Sequence, residues 1–421
     1  MTRDLKTKNH KKSLLIYFLI ATFLVLEMGI QVSPSIMTTQ LMHDLHVNAF
    51  GLGFISGVYF FAYAVMQIPS GLFFDRYDPG RVTSIAIIAC SIGLLIFSVA
   101  HNIYLVVISR IFIGGGSAFA FIALLVVSHD LFEAKYFALL TGVAQLLAAM
   151  GAIIGQILVS ELLQFFGWRE LFFYLGIAAL LLSALIWYFA SYKRIVVRKY
   201  LGAGGIVKSL CNIVLMKQNW FIAGYAFLMW APMVGFSSLW GVPYLIKVFG
   251  YSHMQAVYVC TLMWLGLGVL SPILGWYYMQ VNNKQLFLTA ISFVGFVVFG
   301  IILFLDHSPL WVIAICVFLA GGACSGQVLS FSLIREINER EQQATVIGFN
   351  NMAVVVSGFV IQPIIGGVLT ISSSGIFNTN INYGDFKCSF GLILFCYLLA
   401  TYLAFFIFTN LNKRFESEVI L

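Results

Sequence analysis

Stretches of about 20 apolar residues, separated by short polar links, recur along the whole chain. They fall at residues 13–37, 51–73, 83–100, 103–127, 137–160, 171–191, 219–240, 254–278, 286–305, 310–333, 344–371 and 389–410. A helix of roughly 20 residues crosses a hydrocarbon core of about 30 Å. The pattern therefore predicts an all-α membrane protein with twelve transmembrane helices, numbered here as spans 1 to 12. The links at His101 and Asn102, and at residues 306–309, are tight enough that the division there rests on few positions. The first run is too long for the apolar region of a signal peptide and is expected to be a retained first span.

The longest polar link, residues 192–218, divides the spans six and six. It predicts an N-terminal six-helix bundle at 1–191, a basic linker at 192–218 and a C-terminal six-helix bundle at 219–421. The halves share a frame. Gly114-Gly115-Gly116 in span 4 is followed by Gly142 in span 5, and Ala320-Gly321-Gly322 in span 10 by Gly348 in span 11, at an offset of 206. The same offset sets Gln145 against Asn351 and Gln156 against Gln362. A shared frame across two spans points to an internal duplication and two pseudo-symmetric bundles.

Composition agrees with lipid as the main solvent: 61% of residues are hydrophobic and 9% charged, against about 25% charged in soluble proteins. The net charge of +7 does not indicate nucleic acid, because the basic residues sit in short links rather than in one patch. All but four of the 23 Lys and Arg fall on one side of the predicted topology. The exceptions are Arg169, Lys247 and Lys387 on the other side and Arg110 inside span 4. The positive-inside rule then places both termini in the cytoplasm. The seven cysteines form no CxxC pair and no cluster with His, so they read as small packing residues, with no metal or cofactor implied. His43, Asp44 and His46 form a polar cluster in the first link, which reads as a solvated turn rather than a metal site.

At the end of span 2 stands Gly71-Leu-Phe-Phe-Asp75-Arg76-Tyr77-Asp78-Pro79-Gly80-Arg81. It resembles the major facilitator signature G-x-x-x-D-R-x-G-x-R-R, with Asp78 in place of the usual Gly and Gly80 in place of one basic residue. Arg110-x-x-x-Gly114-x-Gly116-x-Ala118 is similar to the helix 4 motif of the same superfamily, and Gly167-Trp168-Arg169 fits it too. The resemblance covers the whole chain and implies the major facilitator fold. It also implies a gate at Asp75, Arg76 and Arg81, in which the acid faces the exposed N–H groups at the start of helix 11 and latches the cytoplasmic side. The matching stretch in the second half, Gly275-Trp-Tyr-Tyr-Met279-Gln280, lacks the acid, so a second latch there would be weak. Val32-Ser33-Pro34-Ser35, Tyr63-Ala-Val-Met-Gln67-Ile68-Pro69, Trp240-Gly241-Val242-Pro243-Tyr244-Leu245 and Gln362-Pro363-Ile364-Ile365-Gly366 look like the intraphagosomal amino-acid transporter branch of intracellular bacteria. That branch takes up amino acids or nucleosides. The Y-x-x-x-Q-I-P element also occurs in organic-anion symporters, but the Arg usual in their helix 1 is missing between Ser13 and Met37. No proline follows Gly155, where drug antiporters of the superfamily usually carry a Gly-Pro pair.

Glu27 and Arg110 are the ionisable acid and base well inside spans. Such charges cost at least about 2.5–3.5 kcal/mol to insert and normally face a partner or a cavity. At about 1.5 Å per residue the two lie at nearly one depth. In the family, helices 1 and 4 line the central cavity, so Glu27 and Arg110 are expected to pair or to share a proton and substrate switch; the alternative is a static ion pair that fixes packing. Glu27, Gln31 and Ser35 share one helix face, as do Tyr59, Tyr63 and Gln67. Both stripes suit a cavity wall or interhelical bonding. Gln145, Gln327 and Asn351 are further amides deep in spans 5, 10 and 11. Tyr225 and Trp230 in span 7 could close over a solute, but core packing accounts for them as well.

The residues thus point to a secondary transporter with alternating access at a midplane site, a proton-coupled importer of a small polar nutrient such as an amino acid or nucleoside. Its partners would be that solute, protons and the lipid bilayer. It would act as a monomer in a bacterial inner membrane. Export of a drug or metabolite in exchange for protons, transport of an organic anion or siderophore, and a transporter-like receptor are the competing readings. No clustered catalytic groups suggest an enzyme.

Overall fold

The computed structural model describes residues 10–133, 136–191, 213–305, 308–338, 343–373 and 382–419. Twelve helices long and apolar enough to cross a membrane follow one another. They are span 1 (Lys11–Ser35), span 2 (Ala49–Phe74), span 3 (Pro79–Ser98), span 4 (Ile103–Leu131), span 5 (Leu140–Leu162), span 6 (Trp168–Phe189), span 7 (Lys217–Phe249), span 8 (His253–Gln280), span 9 (Lys284–Phe304), span 10 (Leu310–Glu336), span 11 (Val346–Ser372) and span 12 (Tyr383–Ile407). Most of the expected linker, at residues 192–212, lies outside the described residues. We call the face where span 1 begins and span 12 ends the terminal face, and the opposite one the distal face.

The two positions that depart from the family signature each have a local cause. Asp78 is the N-cap of span 3 and accepts a hydrogen bond from the Arg81 N–H at 2.8 Å, with Pro79 in the first turn, where its missing N–H costs nothing. Span 3 therefore starts at Pro79, earlier than the apolar run alone suggests. A β-carbon at residue 80 would lie 2.3 Å from the Ala190 carbonyl oxygen, so glycine lets the start of span 3 touch the end of span 6. Further along the same pair, the Ser84 and Ser183 hydroxyls each donate to the other's carbonyl, at 3.1 and 2.9 Å.

Spans 4 and 10 are both interrupted, and at equivalent places. Helix runs from Ile103 to Ser117 and resumes at Ala120; in the second half it runs from Leu310 to Ala323 and resumes at Gly326. The Ala118 N–H donates to Gly114 and that of Phe119 to Gly116; 206 positions later, Cys324 donates to Ala320 and Ser325 to Gly322. The shared frame of the sequence is thus a shared backbone distortion.

Glycine contacts hold the spans of each half close, as expected where lipid gives no hydrophobic drive to helix association. Gly155 of span 5 packs on Gly29 of span 1, and Gly114 of span 4 on the span 2 backbone, where a β-carbon would lie 2.2 Å from the Tyr59 carbonyl oxygen. Gly114→Val is therefore expected to destabilise the fold by about 1–3 kcal/mol, read as a lower melting temperature of the purified protein. An unchanged melting temperature would show that span 4 can retreat from span 2 at no cost.

The halves meet at the distal face and part toward the terminal face. In the distal parts of spans 2 and 11, a β-carbon on Gly53 would fall 2.4 Å from the Gln362 carbonyl oxygen, and one on Gly366 2.3 Å from that of Ala49. Nearby, the Phe50 N–H donates to Thr370 Oγ1 at 3.1 Å. Toward the terminal face, Asn351 Nδ2 donates to Gln67 Oε1 at 3.0 Å. One turn beyond, a β-carbon on Gly71 or Gly348 would meet nothing within 4 Å. Spans 5 and 8 repeat this: Ala149 touches Gly268, and two turns beyond, Gly142 and Gly275 face open space.

Candidate functional site

Glu27 of span 1 is buried, and its Oε1 accepts a hydrogen bond from the Tyr59 hydroxyl of span 2. Arg110 of span 4 is buried as well, with its guanidinium 4.9 Å from the centre of the Phe97 ring of span 3. The expected Glu27–Arg110 ion pair is absent among the described residues: Glu27 meets Tyr59 and Arg110 meets the Phe97 ring. Depth along a helix does not fix the side-chain direction around its axis. Arg110 Nε has no hydrogen-bond partner, and stacking on an aromatic face stabilises a cation by about 0.5–2 kcal/mol. A carboxyl group, a phenol and a guanidinium thus share the interior of the first half. Tyr63 continues the stripe, its ring centre 6.1 Å from that of Tyr59.

The other expected residues disperse. Gln31 is half-buried, one turn beyond Glu27. Ser35 is buried, donates to the Val32 carbonyl at 2.7 Å and accepts from Gln156 Nε2 at 3.3 Å, so it belongs to the distal packing and not to the Glu27 group. Gln145 is exposed, Gln327 buried, and Asn351 is the half-buried partner of Gln67. Tyr225 is core, its hydroxyl accepting from Ser292 at 3.2 Å. Trp230 is half-buried and meets Trp264 edge to face at 6.0 Å. The Asp75 side chain and those opening span 11 lie outside the described residues. Arg76 is exposed, and Arg81 lies over the Trp187 ring of span 6 at 5.6 Å, within its own half.

Asp44 ties three distal loops together. Its carboxylate accepts from Trp168 Nε1 at 2.8 Å, Arg169 at 3.0 Å and His43 Nδ1 at 3.1 Å, while Arg169 also donates to the Ala100 carbonyl. These bonds, that from Trp168 foremost, pull the Asp44 pKa down to about 2. A lowered carboxyl pKa gives stability that is full above the unfolded value of about 3.9 and is lost as pH falls through the folded value. Asp44→Asn should melt lower than the parent at pH 7, and the gap should shrink between about pH 4 and 2. A constant gap across that range would remove Asp44 as its source.

An all-helical chain of two six-span halves, linked in sequence by a 206-residue frame and enclosing an ionisable group in the first half, has the architecture of a membrane transporter. The family model of the Major Facilitator Superfamily matches residues 18–363. The chain belongs to that superfamily and is a multi-pass integral membrane protein. It is 24% identical over 248 residues to the probable L-galactonate transporter of Escherichia coli (strain K12), covering 58% of this chain and 54% of that protein. Over 169 residues it is 25% identical to the uncharacterized transporter YybO of Bacillus subtilis (strain 168), covering 40% and 39%. The matches thus span about half or less of these relatives. Among solved structures, a bacterial homologue of the human lysosomal transporter Spinster superimposes with a TM-score of 0.75 at 13% identity, covering 95% of this chain and 98% of that one. The nucleoside transporter NupG gives 0.74 at 9% identity, covering 93% and 100%. At these identities the structures establish the fold alone.

Proposed function

We propose that this chain is a proton-coupled importer of a small polar nutrient, such as an amino acid or nucleoside, working by alternating access between the bundles at 1–191 and 219–421. The observation that carries this reading is the buried Glu27, held by Tyr59 in a half that also buries Arg110. A proton taken up or released there changes the charge of the bundle interior by one, and Tyr59 couples that change to span 2. The seam that is packed at the distal face and open at the terminal face suits one end state of the cycle. The terminal face carries most of the Lys and Arg and is assigned to the cytoplasm of a bacterial inner membrane. Solute is met by the half-buried Gln31, Tyr63, Asn351 and Trp230, with the exposed Gln145 and the buried Gln327 on spans 5 and 10. Asp75 and Arg76 act as the latch on the cytoplasmic side, and the protein works as a monomer.

A second reading, transport of an organic acid, draws on the galactonate relative and on the buried Arg110, which could balance an anion. Uptake of labelled amino acids, nucleosides and sugar acids into proteoliposomes, with and without an inward proton gradient, separates the two. Accumulation of a sugar acid alone would replace the first reading. Gradient-driven loss of a preloaded solute would replace import by export.

A further inference from the structure

Span 7 is not a uniform α-helix. Residues Met233–Trp240 form a π-helix of 8 residues, and all of them are buried. Such wide turns are rare and usually short, and they gather at functional sites. Two glutamines 206 positions apart reach this segment. Gln362 of span 11 donates from Nε2 to the Val234 carbonyl at 2.9 Å, within the second half. Gln156 of span 5 donates from Nε2 to the Ser237 carbonyl at 2.8 Å, across the seam between the halves, and also to Ser35 Oγ. In both glutamines the amide oxygen is buried and has no partner. The carbonyls accept only from N–H, which fixes the orientation of each amide and leaves its oxygen without a protein partner.

We propose that Gln156 is a positioning residue of the transport cycle, one that keeps the distal seal reversible. When the seal is shut, the nitrogen aligns the π segment against span 5. The oxygen faces no protein donor there, and the cost of burying it ends when the halves part and the oxygen is exposed. An apolar side chain of the same shape would carry no such cost and would hold the seal shut. This inference rests on the alternating-access reading but not on the solute or the proton.

The test is labelling of a reporter, Ser238→Cys, by a polar maleimide in nanodiscs. Ser238 is buried in the π segment and its hydroxyl has no partner, so the reporter sacrifices no bond. The exposed Cys388 is replaced by Ser, and the same background without the reporter is subtracted. Gln156→Met should slow labelling about threefold to tenfold, the range expected for one polar interaction inside a membrane protein. Gln156→Glu keeps the shape but sets an acceptor against the Ser237 carbonyl, and should speed labelling. Opposite shifts from two substitutions of similar shape are not what a purely structural role gives. Faster labelling in Gln156→Met would make the residue a simple clasp and overturn the proposal. Labelling that ignores both substitutions would overturn it while leaving alternating access standing. No labelling in any variant would overturn both. Should the Met variant fail to fold, unchanged labelling in Gln156→Glu is sufficient to reject the proposal.

Discussion

Replacing Glu27 with Gln is expected to abolish gradient-driven accumulation while leaving solute exchange across the membrane in place. The amide keeps the shape of the carboxyl group and still accepts from the Tyr59 hydroxyl, so the packing of spans 1 and 2 should survive. What it cannot do is carry a proton. A pH difference of one unit is worth about 1.4 kcal/mol per proton. One coupled proton therefore supports about a tenfold concentration ratio, which the variant should lose. Counterflow of labelled against unlabelled solute should persist, because it needs no net proton movement. If Glu27→Gln accumulated solute as the parent does, with the same pH dependence, the coupling role would pass to another group. A structural Glu27 would show itself differently, through less folded protein but unchanged coupling in what remains.

Joining the distal ends of spans 2 and 11 should stop turnover. The Phe50 N–H lies 3.1 Å from Thr370 Oγ1, and Gly366 packs on the Ala49 carbonyl beside it. The two residues therefore lie side by side, and formation of the disulfide is itself verified by loss of free thiol before transport is measured. With Phe50→Cys, Thr370→Cys and Cys388→Ser combined, oxidation should cut transport by more than about tenfold, because a covalent link outweighs the few kcal/mol that separate two working conformations. Reduction should restore it. Full transport by demonstrably cross-linked protein would mean that the distal seam does not open during the cycle, and alternating access through it would fall.

The spans were legible because run length alone distinguishes a membrane helix, and the duplication because a fixed offset needs no structure to detect. That offset aligned the glycines of spans 4 and 10 but did not announce the paired interruptions at 118–119 and 324–325, because glycines at 114, 116, 321 and 322 signal close packing as readily as a break. Side-chain direction was not legible. The spacing sets Glu27 and Arg110 at similar expected depths, yet the rotation of the spans about their axes decides that Glu27 meets Tyr59 and Arg110 meets Phe97. The π segment was hidden too, since α and π turns draw on the same apolar residues. Span 7 also reaches Phe249 rather than ending near Trp240. Asp78 and Gly80 read as departures from a signature until their local tasks were visible, capping span 3 and admitting Ala190. Ser35 shared a helix face with Glu27, but the short 3-10 turn at Ser33–Ser35 turns it toward Gln156.

The paired breaks in spans 4 and 10 give the terminal mouth a freedom that the distal seam lacks. Ala120–Leu131 and Gly326–Glu336 are short levers on hinges at equal depth, whereas spans 2 and 11 are continuous helices through the distal contact. Two levers can swing while the bundles stand still. Under the proposed alternating access, the terminal mouth can narrow by bending at these two points while the distal contact stays packed.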